Sequence, residues 1–137
     1  MELIILKEAW SDLWLLTKSK TANRGRDCGY LLGRKMTQAY IVQKVCLYPW
    51  EDLLQPDFFL KVEKEQKLKI LGIFCLKPTT AKKKEFGQPL FGEKIFLSLG
   101  TDYQDETKIE AWTLHFDGRF FLEKVQRISL EMEANGE

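Results

Sequence analysis

The 137-residue chain is 45% hydrophobic and 30% charged, a size and composition that suit one ordinary globular domain with a real core. Its 21 Lys and Arg balance 20 Asp and Glu, a field too weak to favour nucleic acid or an anionic membrane. No run approaches the roughly 20 apolar residues of a membrane span, and the start MELIILKEAW lacks the basic flank and length of a signal peptide, so a cytoplasmic protein is expected.

Leu3–Leu6 is a short apolar run that reads as a strand. Trp10, Leu13, Trp14 and Thr17 then recur at i, i+3, i+4 and i+7, the spacing of one helix face, which puts both tryptophans in the core. KSKTANRGRD, Lys18–Asp27, mixes Ser, Thr, Asn and Gly with charge and reads as a loop. Two β-prone stretches then flank Gly33–Gln38, the pattern of an antiparallel hairpin, with a bulge near Gln43 and an end at Pro49. Asp57–Phe74 reads as FFLKV and LKILGIF strands around a charged EKEQK turn, with a helix as the alternative. After Pro78, the stretch TTAKKKEFGQPLFGE carries a lysine run, two Gly and a Pro, and reads as an exposed loop. Three strands close the chain: KIFLSLG, KIEAWTLHF and RFFLEKVQRI, the last two joined by the tight turn Asp117-Gly118. Residues 1–128 are expected to form the domain and 129–137 an acidic tail.

Cys28, Cys46 and Cys75 are odd in number and widely spaced, which argues against a disulfide framework and a cysteine-only zinc site, and favours buried thiols.

Three strings in this order resemble one family. DCGYLLGR at Asp27–Arg34 is similar to the small-G-L-L-x-G strand of the JAB/MPN domain, called JAMM when catalytic. LGIFCLKP at Leu71–Pro78 resembles its hydrophobic-G-I-Y-His-Ser-His-Pro segment, and IFLSLG with EAWTLHFDGRF resembles its closing strands. The likeness runs from the first strand to about residue 125, with order and spacing carrying it rather than any single string. It implies an α/β (α+β layered) fold: a mixed, curved sheet of six to seven strands, the N-terminal amphipathic helix packed on it, and a second helix short or absent.

Active members use a glutamate base, a His-x-His pair and a later aspartate around zinc, whose bound water falls to a pKa of about 7 and becomes the nucleophile. Here the base position falls on Arg26, or on Asp27 in the neighbouring register, and arginine accepts no proton at neutral pH. Cys75 and Lys77 take the histidine places, Leu76 the intervening serine, and the later serine and aspartate fall near Glu85 and Gln88. One histidine in the whole chain is too few for a two-histidine site. The resemblance therefore implies no metal, no cofactor, and a catalytically inert pseudo-metalloprotease domain. Its expected role is that of an interaction or scaffold module for ubiquitin-like or sulfur-carrier proteins, their activating enzymes or a catalytic MPN protein.

Other readings of these residues stand beside it. Cys75 with Lys77 is the nucleophile of an altered hydrolase, if the cation lowers the thiol pKa. His115 before the Asp117-Gly118 turn is either catalytic or a half-exposed, hydrogen-bonded strand residue. Lys77, Lys82, Lys83 and Lys84 are docking candidates for an acidic partner or a phosphate-bearing ligand, or else a solvated loop. Trp50 and Trp112 are contact-surface candidates, or residues buried at a sheet edge. An unrelated small α+β binding domain is the remaining possibility.

Overall fold

A computed structural model describes residues 1–18, 27–101 and 107–131; Arg26, the first base position, lies outside them. Strand β1 (Glu2–Ile5) buries Leu3 and Ile5 and turns directly into helix α1 (Lys7–Lys18). That helix buries Ala9, Trp10, Leu13 and Leu16 along one stripe. Trp14, expected in the core, is instead 43% exposed, because it falls off that stripe beside Leu15, at 60%. Strands β2 (Cys28–Lys35) and β3 (Ala39–Leu47) form the antiparallel hairpin. Its register shifts so that Leu32 faces Lys44 and Gly33 faces Val42, leaving Gln43 as the bulged residue.

Helix α2 (Trp50–Leu53) follows Pro49, and helix α3 (Pro56–Gln66) occupies the segment expected to form a strand hairpin. The segment expected to hold a short helix or none thus carries an 11-residue one. Pro56 sits in its first turn with Asp57, and Lys67 closes it at φ 58° in the left-handed region. Only Phe59 and Val62 of α3 are buried, so its apolar stripe is too narrow to announce a helix. Strand β4 (Lys69–Leu76) leads to helix α4 (Thr80–Phe86), in place of the expected loop. The Thr79 hydroxyl caps α4 by accepting from the Lys82 backbone N–H at 3.1 Å, and Lys83 and Lys84 lie in its last turn, where cations suit the helix dipole. A short 3-10 turn (Pro89–Phe91) precedes β5 (Ile95–Thr101), β6 (Thr107–Phe116), β7 (Phe120–Lys124) and β8 (Arg127–Leu130).

Among the described residues the sheet has eight strands rather than about six to seven, in the order β7-β6-β5-β4-β2-β3-β1-β8. RFFLEKVQRI is two strands, β7 and β8, at opposite ends of that order and joined only through Val125 and Gln126. So short a link requires the sheet to curl until its two edges approach, and the Val125 N–H donates to the Ala111 carbonyl at 2.8 Å on the way. The result is a mixed, curled half-barrel. β8 pairs parallel with β1, which takes Ser129 and Leu130 into the sheet.

Helices cover both faces, so the central strands read as continuous apolar runs. On one face α1 packs over Leu31, Val42, Phe74, Leu97 and Ala111; on the other, α2, α3 and α4 pack over Tyr30, Leu32, Ile73, Cys75 and Phe96. Among the described residues, no helix is long and apolar enough to cross a membrane.

Two glycines set how closely the central strands approach. A Cβ on Gly33 would lie 1.9 Å from the Ile41 carbonyl oxygen, and one on Gly72 would lie 1.9 Å from that of Ile95. Neither oxygen can yield without breaking its ladder. Gly72→Ala is expected to destabilise the fold by at least about 2 kcal/mol, read as a lowered urea midpoint with an unchanged slope.

Candidate functional site

The register of β2 on β4 places Cys28 directly opposite Cys75. The Leu76 N–H donates to the Asp27 carbonyl at 2.8 Å, which makes 27/76 the hydrogen-bonded pair and 28/75 the adjoining non-hydrogen-bonded one, where cross-strand side chains come closest. The two sulfurs are 2.9 Å apart and both residues are buried.

Helix α4 supplies a cation over this pair. Lys82 Nζ donates to Cys28 Sγ at 3.4 Å and lies 3.9 Å from Asp27 Oδ1, its stem beside the Trp50 ring with Nζ 5.5 Å from the centroid. Asp27 Oδ1 is also within 3.5 Å of Cys28 Sγ, so a protonated Cys28 donates to Asp27, and a thiolate accepts from Lys82 and from Cys75. The hydrogen bond from Cys75, aided by Lys82, holds the Cys28 thiol below its ordinary pKa in spite of burial and of Asp27. The same hydrogen bond and burial push the Cys75 thiol far up. Burial would lower Lys82, but Cys28, Asp27 and Cys75 together hold its ammonium above the usual lysine value.

The two positions expected for the histidine pair are thus separated in role. Cys75 is a protonated interior thiol, and Lys77 is an exposed residue at φ 48° just past the strand. The cation beside the thiols is Lys82, not Lys77. Leu76 packs toward the opposite face of the sheet, against the α1 core. Near the later ligand positions, Glu85 Oε1 accepts from Trp50 Nε1 at 2.9 Å, and Gln88 Nε2 donates to the Glu85 carbonyl at 2.8 Å. Asp27, the alternative base position, is engaged with Lys82 and Cys28. Sequence reasoning missed Cys28 as the partner of Cys75, since nothing local joins residues 47 apart; only the strand register does so.

The lysine run divides. Lys82 covers the thiols and Trp50, Lys83 lies 3.8 Å from the Trp112 ring centroid, and Lys84 is exposed. Lys83 and Lys84 border an open depression of about 540 Å³ between α4 and β7, floored by Leu114, Phe120 and Leu122, with Phe121 44% exposed at its edge.

His115 lies away from the thiols, on β6. Its Nδ1 is 3.0 Å from Glu93 Oε2 and its Nε2 is 2.9 Å from Glu123 Oε1, so the two-sided arrangement favours imidazolium. The hydrogen bond to Glu93, with that to Glu123, raises its pKa.

No family model matches the chain, and no curated protein matches it. Among solved structures it is similar to the solution structure of a protein from Desulfitobacterium hafniense, with a TM-score of 0.63 and 16% identity over 97% of this chain and 95% of that one. It is also similar to the solution structure of a protein from Salinibacter ruber, with a TM-score of 0.55 and 16% identity over 93% of this chain and 91% of that one. Both are structural genomics targets. At this identity the likeness is one of fold.

His115 is expected to titrate above its ordinary value of 6.5. Because the folded pKa is raised, the stabilisation is fully present below the unfolded pKa and is lost as pH rises through the folded one. The carboxylates are exposed, which limits it to about 1 kcal/mol or less. An NMR titration of the His115 ring protons reads the shift, and Glu93→Gln with Glu123→Gln should return it toward the ordinary value.

Proposed function

We propose that this chain is a catalytically inert MPN-like domain, a pseudo-metalloprotease that works as a protein-interaction module. The observation that carries this reading is the set of side chains that meet at the end of β4. Where the family resemblance calls for an open metal position, two apposed thiols lie under a lysine ammonium, a cation that repels a divalent metal. The resemblance also calls for a general base, and Asp27 is tied to Lys82 and Cys28 instead.

The depression between α4 and β7 supports a docking role. It combines an apolar floor and the exposed Phe121 ring with the Lys83 and Lys84 stems on its border, the aromatic centre and charged rim of a protein contact. The family resemblance suggests a ubiquitin-like or sulfur-carrier protein, an activating enzyme of either, or a catalytic MPN protein as the occupant.

Two measurements test the reading. Protein purified without chelator should carry no stoichiometric zinc by elemental analysis, and a full equivalent would overturn the inert assignment. Titration of isotope-labelled protein with ubiquitin and with a sulfur-carrier protein should perturb amide signals around α4 and β7 with one of them. Lys84→Glu combined with Phe121→Asp should weaken that binding by about ten-fold or more. Perturbation confined to the α1 face would place docking elsewhere.

A further inference from the structure

We propose that Cys28 and Cys75 are a redox-active dithiol, oxidised by a small peroxide to a reversible cross-strand disulfide. The proposal rests on the register of β2 and β4, on the cation above the pair and on the route to solvent, and it does not depend on the identity of any protein partner.

Geometry comes first. Cys28 and Cys75 are opposed in a non-hydrogen-bonded antiparallel pair, whose Cα separation of about 4.5 Å lies within the range that a disulfide spans. With the sulfurs already 2.9 Å apart, rotation about the two side-chain torsions closes the bond without moving the backbone. The third cysteine, Cys46, lies on β3 and pairs with Tyr30 rather than with either thiol.

The two thiols are also unequal in the way stepwise oxidation requires. Cys28 accepts from Lys82 Nζ and from Cys75, and both contacts favour its thiolate. Cys75 has no solvent exposure and remains protonated, the state of a thiol that enters second. Although Cys28 is itself 1% exposed, it is covered by side chains that reach the surface: Lys82 at 24% and Asp27 at 40% exposure. A shift of the Lys82 stem opens a path for a molecule the size of hydrogen peroxide, and a bulky disulfide would require much more.

The chemistry balances as follows. The Cys28 thiolate attacks one oxygen of hydrogen peroxide, the O–O bond breaks, and the departing hydroxide takes up a solvent proton and leaves as water. Cys28 is then a sulfenic acid. Cys75 Sγ attacks Cys28 Sγ, the S–S bond forms, the S–O bond breaks, and the Cys75 proton departs with the hydroxyl as a second water. Two thiols lose two electrons, and one peroxide gains them to become two waters. A small dithiol reverses the change by the same path: its thiolate attacks Cys28 Sγ, the Cys28–Cys75 bond breaks with Cys75 taking up a proton, and its second thiol then displaces Cys28 as it closes its own disulfide.

Folded, reduced protein treated with hydrogen peroxide and digested without reductant should yield a Cys28–Cys75 linked peptide lighter by two hydrogen atoms, which dithiothreitol restores. Cys75→Ser should leave Cys28 as a sulfenic acid that dimedone labels. Because a cysteine variant can fail to fold, Lys82→Met provides an independent arm: it keeps the stem over Trp50, removes the cation, and should slow linkage by about ten-fold. Circular dichroism confirms that each variant is folded. Linkage that appears only in denaturant, oxidation confined to Cys46, or an unchanged rate in folded Lys82→Met would each overturn the proposal.

Discussion

Two backbone contacts govern the centre of this molecule: the Ile41 carbonyl resting where a side chain on Gly33 would begin, and the Ile95 carbonyl resting in the same way on Gly72. They lock β3 to β2 and β4 to β5 at a separation that no larger residue permits. Slippage of β2 by one residue would exchange its faces, sending Tyr30 and Leu32 toward α1 and Leu31 toward α3. It would also break the opposition of Cys28 and Cys75. The core on both sides and the thiol pair therefore depend on the same register.

Much of the sheet is legible in the sequence because its strands carry their burial openly. The hairpin, its bulge at Gln43, and strands β4, β5 and β6 all follow from apolar runs and turn residues. The helices on the second face are less legible, since α3 buries only Phe59 and Val62 and α4 only Phe86. Their signals lie at the ends instead: Pro56 with Asp57 in the first turn of one, and Thr79 capping the other. The division of RFFLEKVQRI into β7 and β8 has no breaker to mark it; the change of partner, from β6 to β1, is a long-range event. The candidate site was legible by half. Cys75 stands out in the sequence at the end of an apolar strand, but Cys28 and Lys82 reach it only through strand pairing and the unforeseen helix α4.

That helix shows how a lysine-rich segment joins a core. It lays the Lys82 stem beside Trp50 and the Lys83 ammonium over Trp112, so two of three consecutive lysines cover indole rings while their charges stay near water. The charge run thus serves structure and surface together. Lys82 attends the thiols, Lys83 bridges to the sheet, and Lys84 is left to solvent. The same division explains why composition alone could not separate a docking patch from a solvated loop.

The outermost ladder has a consequence for how the chain acquires its shape. Glu2–Ile5 pairs on one side with residues 39–42 and on the other with residues 127–130. As the polypeptide leaves the ribosome, the first of these partners arrives early, whereas the second arrives only after nearly all of the remaining sheet has been made. Throughout that interval β1 offers an open row of amides and carbonyls, the kind of edge to which another nascent chain adds. Closing so large a loop is slow, and the Ser129 hydroxyl, which donates to the Glu2 carboxylate, fastens the two ends once they meet. Among the described strands, β8 is therefore the one that covers the open side of β1, and it does so long after β1 has been made.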